Sequence, residues 1–415
     1  MRIAALFAGI GGMERGLHEA GHETMLTCEI WDPAVTVLGA QFPLVTNYPD
    51  VSSLKSLPAR TELLTAGFPC QDLSQAGMTA GIGGKRSGLV DHVFRLLDQR
   101  KVPVVVLENV SFMLSLDQGS AMDRLTKAFE ERGYRWAYRI VNTLAFLPQR
   151  RERVFFVASR CDLDPSTVFF ADEAQLKAIT TRLDTHAHGF SWTEGTRGLC
   201  WAPSAVPTLK NGSTVGIPSP PAILLPDGRI IKPDIRDVER LQGFPSDWTA
   251  SAPERSRWSL VGNAVSVPVA AWLGNRLKKP GTYTTDRDRA WPTKQRSFPR
   301  AARYDGTARH AVEISDFPIF AKRQPLHEFL RHPGAPLSVR ATAGFLSRAQ
   351  ASSLRFVPGF LDAVRAHLDH MKVVEAATIR LVPSKRRQSK TPALVAIDTQ
   401  TRSTIALGSV RRPSV

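Results

Sequence analysis

Cysteine is scarce in this 415-residue chain. The four present, Cys28, Cys70, Cys161 and Cys200, lie too far apart in sequence to suggest a disulfide framework. Long apolar runs are missing as well: none reaches the roughly 18 residues of a membrane span, so no membrane association is expected. The opening MRIAALFAGIGG begins as a signal peptide does. Glycines and then Glu14 and Arg15 interrupt it, and no small-residue cleavage pattern follows. It reads as a strand, and the chain as cytoplasmic. Cys161, His186, His188 and Cys200 match no zinc-ligand template in their spacing, so no metal is expected.

Acidic residues run short in only one part of the chain. The first 274 residues balance 28 basic against 28 acidic side chains, whereas residues 275–415 hold 26 against 10, the whole of the net +16. A neutral body with a basic extension suits a polyanionic partner, and equally a well-solvated basic domain. The length implies two or three domains.

Residues 2–7 are apolar and lead through Gly9-Ile10-Gly11-Gly12 into a helical stretch with Met13 and Leu17 on one face; a strand over 24–29 follows. Strand, glycine turn, helix and strand make a βαβ unit of a mostly parallel sheet. Residues 63–66, 102–107, 138–147 and 154–158 read as further strands. From about 161 to 230 Pro, Gly, Ser and Thr dominate, as in a loop-rich insertion. Helices are expected over 237–242 and 267–277. Residues 278–304, basic, poor in aliphatics and broken by prolines, read as a linker. Beyond it Leu361, Val364, Leu368 and Met371 keep helical spacing, while 379–381 and the runs flanking 398–402 look like strands.

The glycine turn lets backbone N–H groups approach a ligand closely. A dinucleotide fingerprint would place glycine at position 14. Glu14 stands there, where it would repel a pyrophosphate, so an adenosine ligand without phosphates fits better. Glu29 could accept both hydroxyls of a ribose and Phe7 could face an adenine, although a glycine turn of this kind is often structural. Cys70, in GFPCQ, follows a strand, at the sheet edge where such folds bind ligands; it is a nucleophile or an inert buried thiol. Glu108 ends another strand at the same edge, and an acid beside a thiol suits attack on an electron-poor ring. Alternation sends Arg151 and Arg153 to one face, suited to phosphate or carbonyl oxygens, or to an ion-pair network.

Taken together, seven segments resemble the cytosine-5 DNA methyltransferases. LFAGIGG (6–12), EIWDPA (29–34), GFPCQDLS (67–74), ENV (108–110), QRRERVF (149–155), RDVERLQGFP (236–245) and VGNAV (261–265) come in the family's order. The resemblance covers residues 1 to about 277. It implies a Rossmann-like α/β S-adenosylmethionine-dependent fold, with a catalytic domain of residues 1–159 completed by 251–277. Residues 160–250 would be a small loop-rich target-recognition domain; outside the resemblance, composition and spacing make 278–304 a basic linker and 305–415 a folded α+β extension. Cys70 would add to carbon 6 of a cytosine flipped from double-stranded DNA, with Glu108 at ring nitrogen 3, Arg153 at the carbonyl oxygen and Arg151 nearer the phosphates. Gln71 and Ser74 would contact DNA, and Asn109 would support the loop. Phe7, Gly9, Ile10, Gly12, Glu29, Ile30, Asp50, Leu89 and Asn263 would line the S-adenosylmethionine pocket; whether Ile30 or Trp31 touches it is open. The activity would be that of a restriction–modification enzyme at nucleoid DNA. Methylation of transfer RNA and a catalytically silent DNA-binding regulator are the competing readings.

Overall fold

The structure, a computed structural model, describes residues 1–68, 88–174, 182–210, 220–292 and 296–381. In its first strand, β1 (Arg2–Leu6), Ile3 and Ala5 face one way and Ala4 and Leu6 the other, and all four are buried. A strand buried on both faces belongs inside a sheet covered by helices on both sides. Next to β1 lies β2 (Glu23–Cys28), with β3 (Thr46–Tyr48) beyond it. On the other side are β4 (Leu63–Ala66) and then β5 (Val104–Val110), and these five strands are all parallel. The sheet continues from β5 into antiparallel β7 (Glu152–Ser159), then β6 (Arg135–Asn142).

Helices α1 (Gly12–Glu19) and α2 (Asp32–Gln41) follow β1 and β2. One face of the sheet is covered by α3 (Leu89–Gln99) and α4 (Ser120–Glu131), through Val93, Phe94, Leu125 and Phe129. The other face receives α1 and the short α5 (Pro165–Phe169). The chain then builds a small antiparallel sheet from β8 (His188–Phe190), β9 (Trp201–Pro203), β10 (Ala222–Leu224) and β11 (Ile230–Lys232). Three helices lead back: α6 (Ile235–Leu241), α7 (Glu254–Asn263) and α8 (Val267–Lys278). The last lies against α1 so closely that a Cβ added at Gly16 would sit 2.4 Å from the carbonyl oxygen of Val267.

The remainder departs from expectation. Residues 278–304 are no linker: β12 (Asp288–Arg289) and β13 (Ala301–Tyr304), with β14 (Arg309–Val312), extend the large sheet to ten strands by pairing onto β6. These strands have two to four residues and few aliphatics, so composition cannot reveal a pairing partner some 160 residues away. Arginines hold them in place. Arg309 pairs with Asp123 and Glu130, Arg300 with Glu152, Arg287 with Glu173 and Arg276 with Asp172. Four arginines of the extension are thus matched by acids that precede it in the chain.

Further on come α9 (Leu326–Phe329), β15 (Ala335–Pro336), α10 (Val339–Gln350) and α11 (Phe360–Leu381). The strand expected over 379–381 is the end of α11, continuing the spacing of Leu361, Val364 and Leu368; residues 398–402 lie outside the described residues. The strand expected over 138–147 ends at Asn142, whose side chain accepts from the N–H of Leu144 and turns the chain. Residues Met1–Lys372 form one compact unit and Val373–Val415 a second. Among the described residues no helix is long and apolar enough to cross a membrane.

Candidate active site

Strand register assembles the site. Leu6 pairs with Cys28 on one side and Ala66 on the other, and Ala66 pairs with Leu107. One residue further along, Phe7, Glu29, Gly67 and Glu108 therefore stand side by side at the carboxyl edge of the parallel strands, where such folds bind ligands. A cavity of about 600 Å³ opens there. Phe7, Gly9 and Ile10 line it from the turn, Glu29, Ile30 and Trp31 from the end of β2, and Asp50 and Leu89 from the loops beyond. Glu108, Asn109, Arg151, Arg153 and Asn263 close the other side.

Phe7 takes a left-handed backbone, φ 56°, ahead of Gly9 at φ 58° and Gly11 at φ 79°. For a phenylalanine this costs roughly 1–3 kcal/mol and needs surrounding support. Glu29 supplies it: one carboxylate oxygen accepts from Gly9 N at 2.8 Å, the other from Ile30 N at 3.0 Å and Trp31 N at 2.9 Å. A carboxylate offers about four acceptor positions, so Glu29 keeps capacity for a ligand hydroxyl. Trp31 and Ile30 are 37% and 69% exposed beside it, apolar surface of the kind an adenine ring covers. Asp50 accepts from the N–H and hydroxyl of Ser52, which holds its carboxyl below the usual range.

At the other end Glu108 lies within β5 opposite Phe155, and Arg153 sits opposite Val110, so both side chains share a face. Arg153 Nε reaches the Glu108 carboxylate at 3.2 Å. Burial pushes the Glu108 carboxyl up, and Arg153 and Arg151 only partly offset it. Burial likewise lowers the Arg153 guanidinium. The Asn109 side chain donates to the carbonyl of Phe68 at 3.0 Å, fixing the end of the β4 segment beside Glu108. Cys70, Gln71 and Ser74 lie outside the described residues.

Three expectations need correction. Arg151 does not reach toward phosphates: it is 1% exposed, and its guanidinium donates to the carbonyls of Leu209, Gly262 and Ala264. It braces the segment at Leu209 and the α7–α8 turn against the start of β7. Gly12 does not line the cavity; as the first residue of α1 it is pressed against Val265, whose carbonyl oxygen an added Cβ would meet at 2.4 Å. Glu14, expected on the ligand side, points beneath the turn instead. Its carboxyl accepts from Thr65 Oγ1 at 3.2 Å and borders a separate cavity of about 20 Å³, and burial pushes it up to about 7. Side chains of α1 alternate around the helix, and position 14 falls on the face turned to β4.

A buried hydrogen-bond network, which periodicity and charge do not reveal, joins three of the family-like segments. Gln149 donates to the Leu241 carbonyl and to Gln242, Gln242 to the carbonyls of Val261 and Ala264, and Ser266 to Gln242. These amides join β7, α6 and α7 behind the cavity. Glutamine at the start of QRRERVF and in LQGFP was the available signal.

A sheet covered by helices on both faces, with five parallel strands and with an acid–arginine pair and a second carboxylate, Glu29, at their carboxyl edge, has the Rossmann-like methyltransferase fold. The family profile described as C-5 cytosine-specific DNA methylase matches residues 1–199 and 200–279. The chain belongs to the C-5 cytosine-specific DNA methylases and is a DNA cytosine methyltransferase. It is 43% identical over 382 residues to the Type II methyltransferase M2.BsuMI of Bacillus subtilis, covering 88% of this chain and 97% of that one. That reach exceeds the 279 residues of the family match, so the likeness runs into the extension. The Type II methyltransferase M.DsaV of Dactylococcopsis salina is 27% identical over 310 residues, covering 67% of this chain and 86% of its own. In fold, the crystal structure of the S. pombe Dnmt2 methyltransferase superposes with a TM-score of 0.50 at 17% identity, over 67% of this chain and 98% of that one.

Proposed function

We propose that the enzyme moves the methyl group of S-adenosylmethionine to carbon 5 of a cytosine flipped out of a short double-stranded DNA site, with Cys70 as nucleophile. We place it in a Type II restriction–modification setting, as its relatives' names suggest, acting on nucleoid DNA in the cytoplasm. The observation that carries this reading is one cavity with a ribose-type carboxylate, Glu29, at one end and the Glu108–Arg153 pair at the other.

The residues present fit the cofactor. Glu29 can accept from ribose hydroxyls, Trp31, Ile30 and Phe7 offer apolar faces for the adenine, and 600 Å³ is within the usual range for a ligand of this size. When bound, S-adenosylmethionine supplies an electrophilic methyl group. The protein's part is to make carbon 5 nucleophilic. Cys70 follows Phe68 by two residues, within about 7 Å of extended chain from the anchor that Asn109 provides. Its thiolate forms a bond to carbon 6. Ring nitrogen 3 of neutral cytosine is an acceptor, so it needs a donor, and burial, which pushes the Glu108 carboxyl up, favours the protonated form that can supply one. Arg153 donates to the carbonyl oxygen. After methyl transfer, solvent water takes the carbon 5 proton, the Cys70 sulfur leaves as thiolate and the nitrogen 3 proton returns to Glu108, restoring the ring.

The test is labelled methyl transfer to duplex DNA and, in parallel, to transfer RNA. Duplex DNA is the expected acceptor, Cys70→Ala should be inactive while still binding cofactor, and 5-fluorocytosine DNA should trap the wild type through Cys70. Transfer to RNA alone, or trapping through another cysteine, overturns the reading.

A further inference from the structure

The small sheet made by the region between β7 and α6 has no sufficient core of its own. Its strands have three residues each, and Phe190, Trp201 and Leu224 point to a face that helices from the extension cover. Phe360 of α11 lies 4.3 Å from Trp201 and 5.3 Å from Phe190, centroid to centroid, and Phe345 of α10 lies 4.4 Å from Phe190. Phe190, Phe345, Phe360 and Val364 are all fully buried. The backbone is shared too. β15 adds a fifth strand at the β11 edge, with Leu337 N donating to Ile230 O at 2.9 Å. His367 joins both segments: its Nδ1 accepts from Ile230 N at 3.3 Å, which leaves Nε2 to donate to Leu337 O at 3.0 Å. The extension is also pinned by Asp237 of α6, a fully buried carboxylate that accepts from the N–H groups of Arg331 and His332.

We infer that the target-recognition module is discontinuous, composed of the β8–β11 region together with residues 335–372, and that the extension thereby helps determine which DNA sequence is methylated. The inference rests on the reading of the small sheet as the DNA-reading unit. Three-residue strands lacking half their core cannot hold base-contacting loops in one geometry, because an ordered loop needs a packed support. Loosening α11 should therefore degrade sequence discrimination while cofactor binding, which belongs to the large sheet, stays unchanged.

The experiment uses the full-length protein. Wild type, Phe360→Ala, the milder Val364→Ala and Trp201→Ala each methylate a random-sequence duplex library, and bisulfite sequencing reads the preferred site against its single-base neighbours. Cofactor affinity is measured alongside by equilibrium dialysis. Phe360→Ala should lower discrimination about tenfold or more, the size of roughly one lost base contact. Val364→Ala should lower it less, and both should bind cofactor as wild type does. If an extension variant with wild-type cofactor affinity keeps wild-type discrimination while Trp201→Ala loses it, the inference is wrong and the small sheet reads DNA unaided. If Trp201→Ala also keeps it, the underlying reading of the sheet fails instead. Loss of cofactor binding in step with discrimination in both Phe360→Ala and Val364→Ala would likewise overturn the inference, since the extension would then support the whole fold.

Discussion

Glu14→Gln isolates the energetic cost of one buried acid. The Glu14 carboxyl is 1% exposed beneath the glycine turn, with one oxygen accepting from Thr65 and the other without a partner. Burial, with the nearby Glu29 charge adding a smaller push, raises it from 4.5 to about 7. The unfolded chain therefore releases this proton first. Between about pH 4.5 and 7 the native state holds one proton more than the unfolded state, so stability falls as pH rises through that window and levels off above it. At about 1.4 kcal/mol per pH unit the total loss is on the order of 3 kcal/mol. Glutamine keeps an oxygen for Thr65 and leaves its amide nitrogen where the unpartnered oxygen was, so the variant lacks only the titration. Wild type and variant should melt together at pH 4.5, and at pH 8 the variant should be more stable. For a unit of 372 residues, with an unfolding entropy of about 2.1 cal/mol/K per residue, 3 kcal/mol corresponds to about 4 °C. Calorimetric melting of both proteins across this pH range measures it. A melting difference that does not change between pH 4.5 and 8 would refute the argument.

Other consequences are more direct. Glu108→Gln keeps a hydrogen bond to ring nitrogen 3 but no transferable proton, and single-turnover methylation should slow by about 10²–10⁴-fold. Glu29→Ala leaves three backbone N–H groups without their acceptor and removes the proposed ribose contact; calorimetric titration should show cofactor binding weakened at least about tenfold. Arg151→Ala removes the donor from the buried carbonyls of Leu209 and Gly262, while Ala264 keeps the Gln242 amide, and should cost at least about 2 kcal/mol in denaturant unfolding, with weaker cofactor binding because Gly262 and Ala264 line the same cavity. Arg309→Gln should lower stability but leave the salt slope of DNA binding unchanged, because this guanidinium is already held by Asp123 and Glu130. A slope flattened by about 0.9 would mean that it contacts a phosphate.

Local chemistry written in consecutive residues was legible without coordinates. The apolar runs at residues 2–7 and 102–107, the glycine run at 9–12 and the acids ending two strands place a ligand edge on a parallel sheet, because each signal is complete within one turn or one strand. Eight of the nine residues that the family resemblance implied around the cofactor line one cavity. The tertiary structure decided what depends on a distant partner. Arg151 looks like Arg153 in sequence, one step along the same alternation, yet the carbonyls of Leu209, Gly262 and Ala264 surround the first while Glu108 meets the second. Glu14 turns under its helix because the space beneath lies against Thr65. The basic stretch after residue 278 reads as linker until β6 offers an unpaired edge and Asp123, Glu130 and Glu152 offer charge. Likewise the small sheet lacks a visible core in its own segment, since Phe345 and Phe360, which complete it, follow more than 100 residues later. Backbone pairing and buried contacts are made by whichever groups folding brings together, and a composition window does not reach that far.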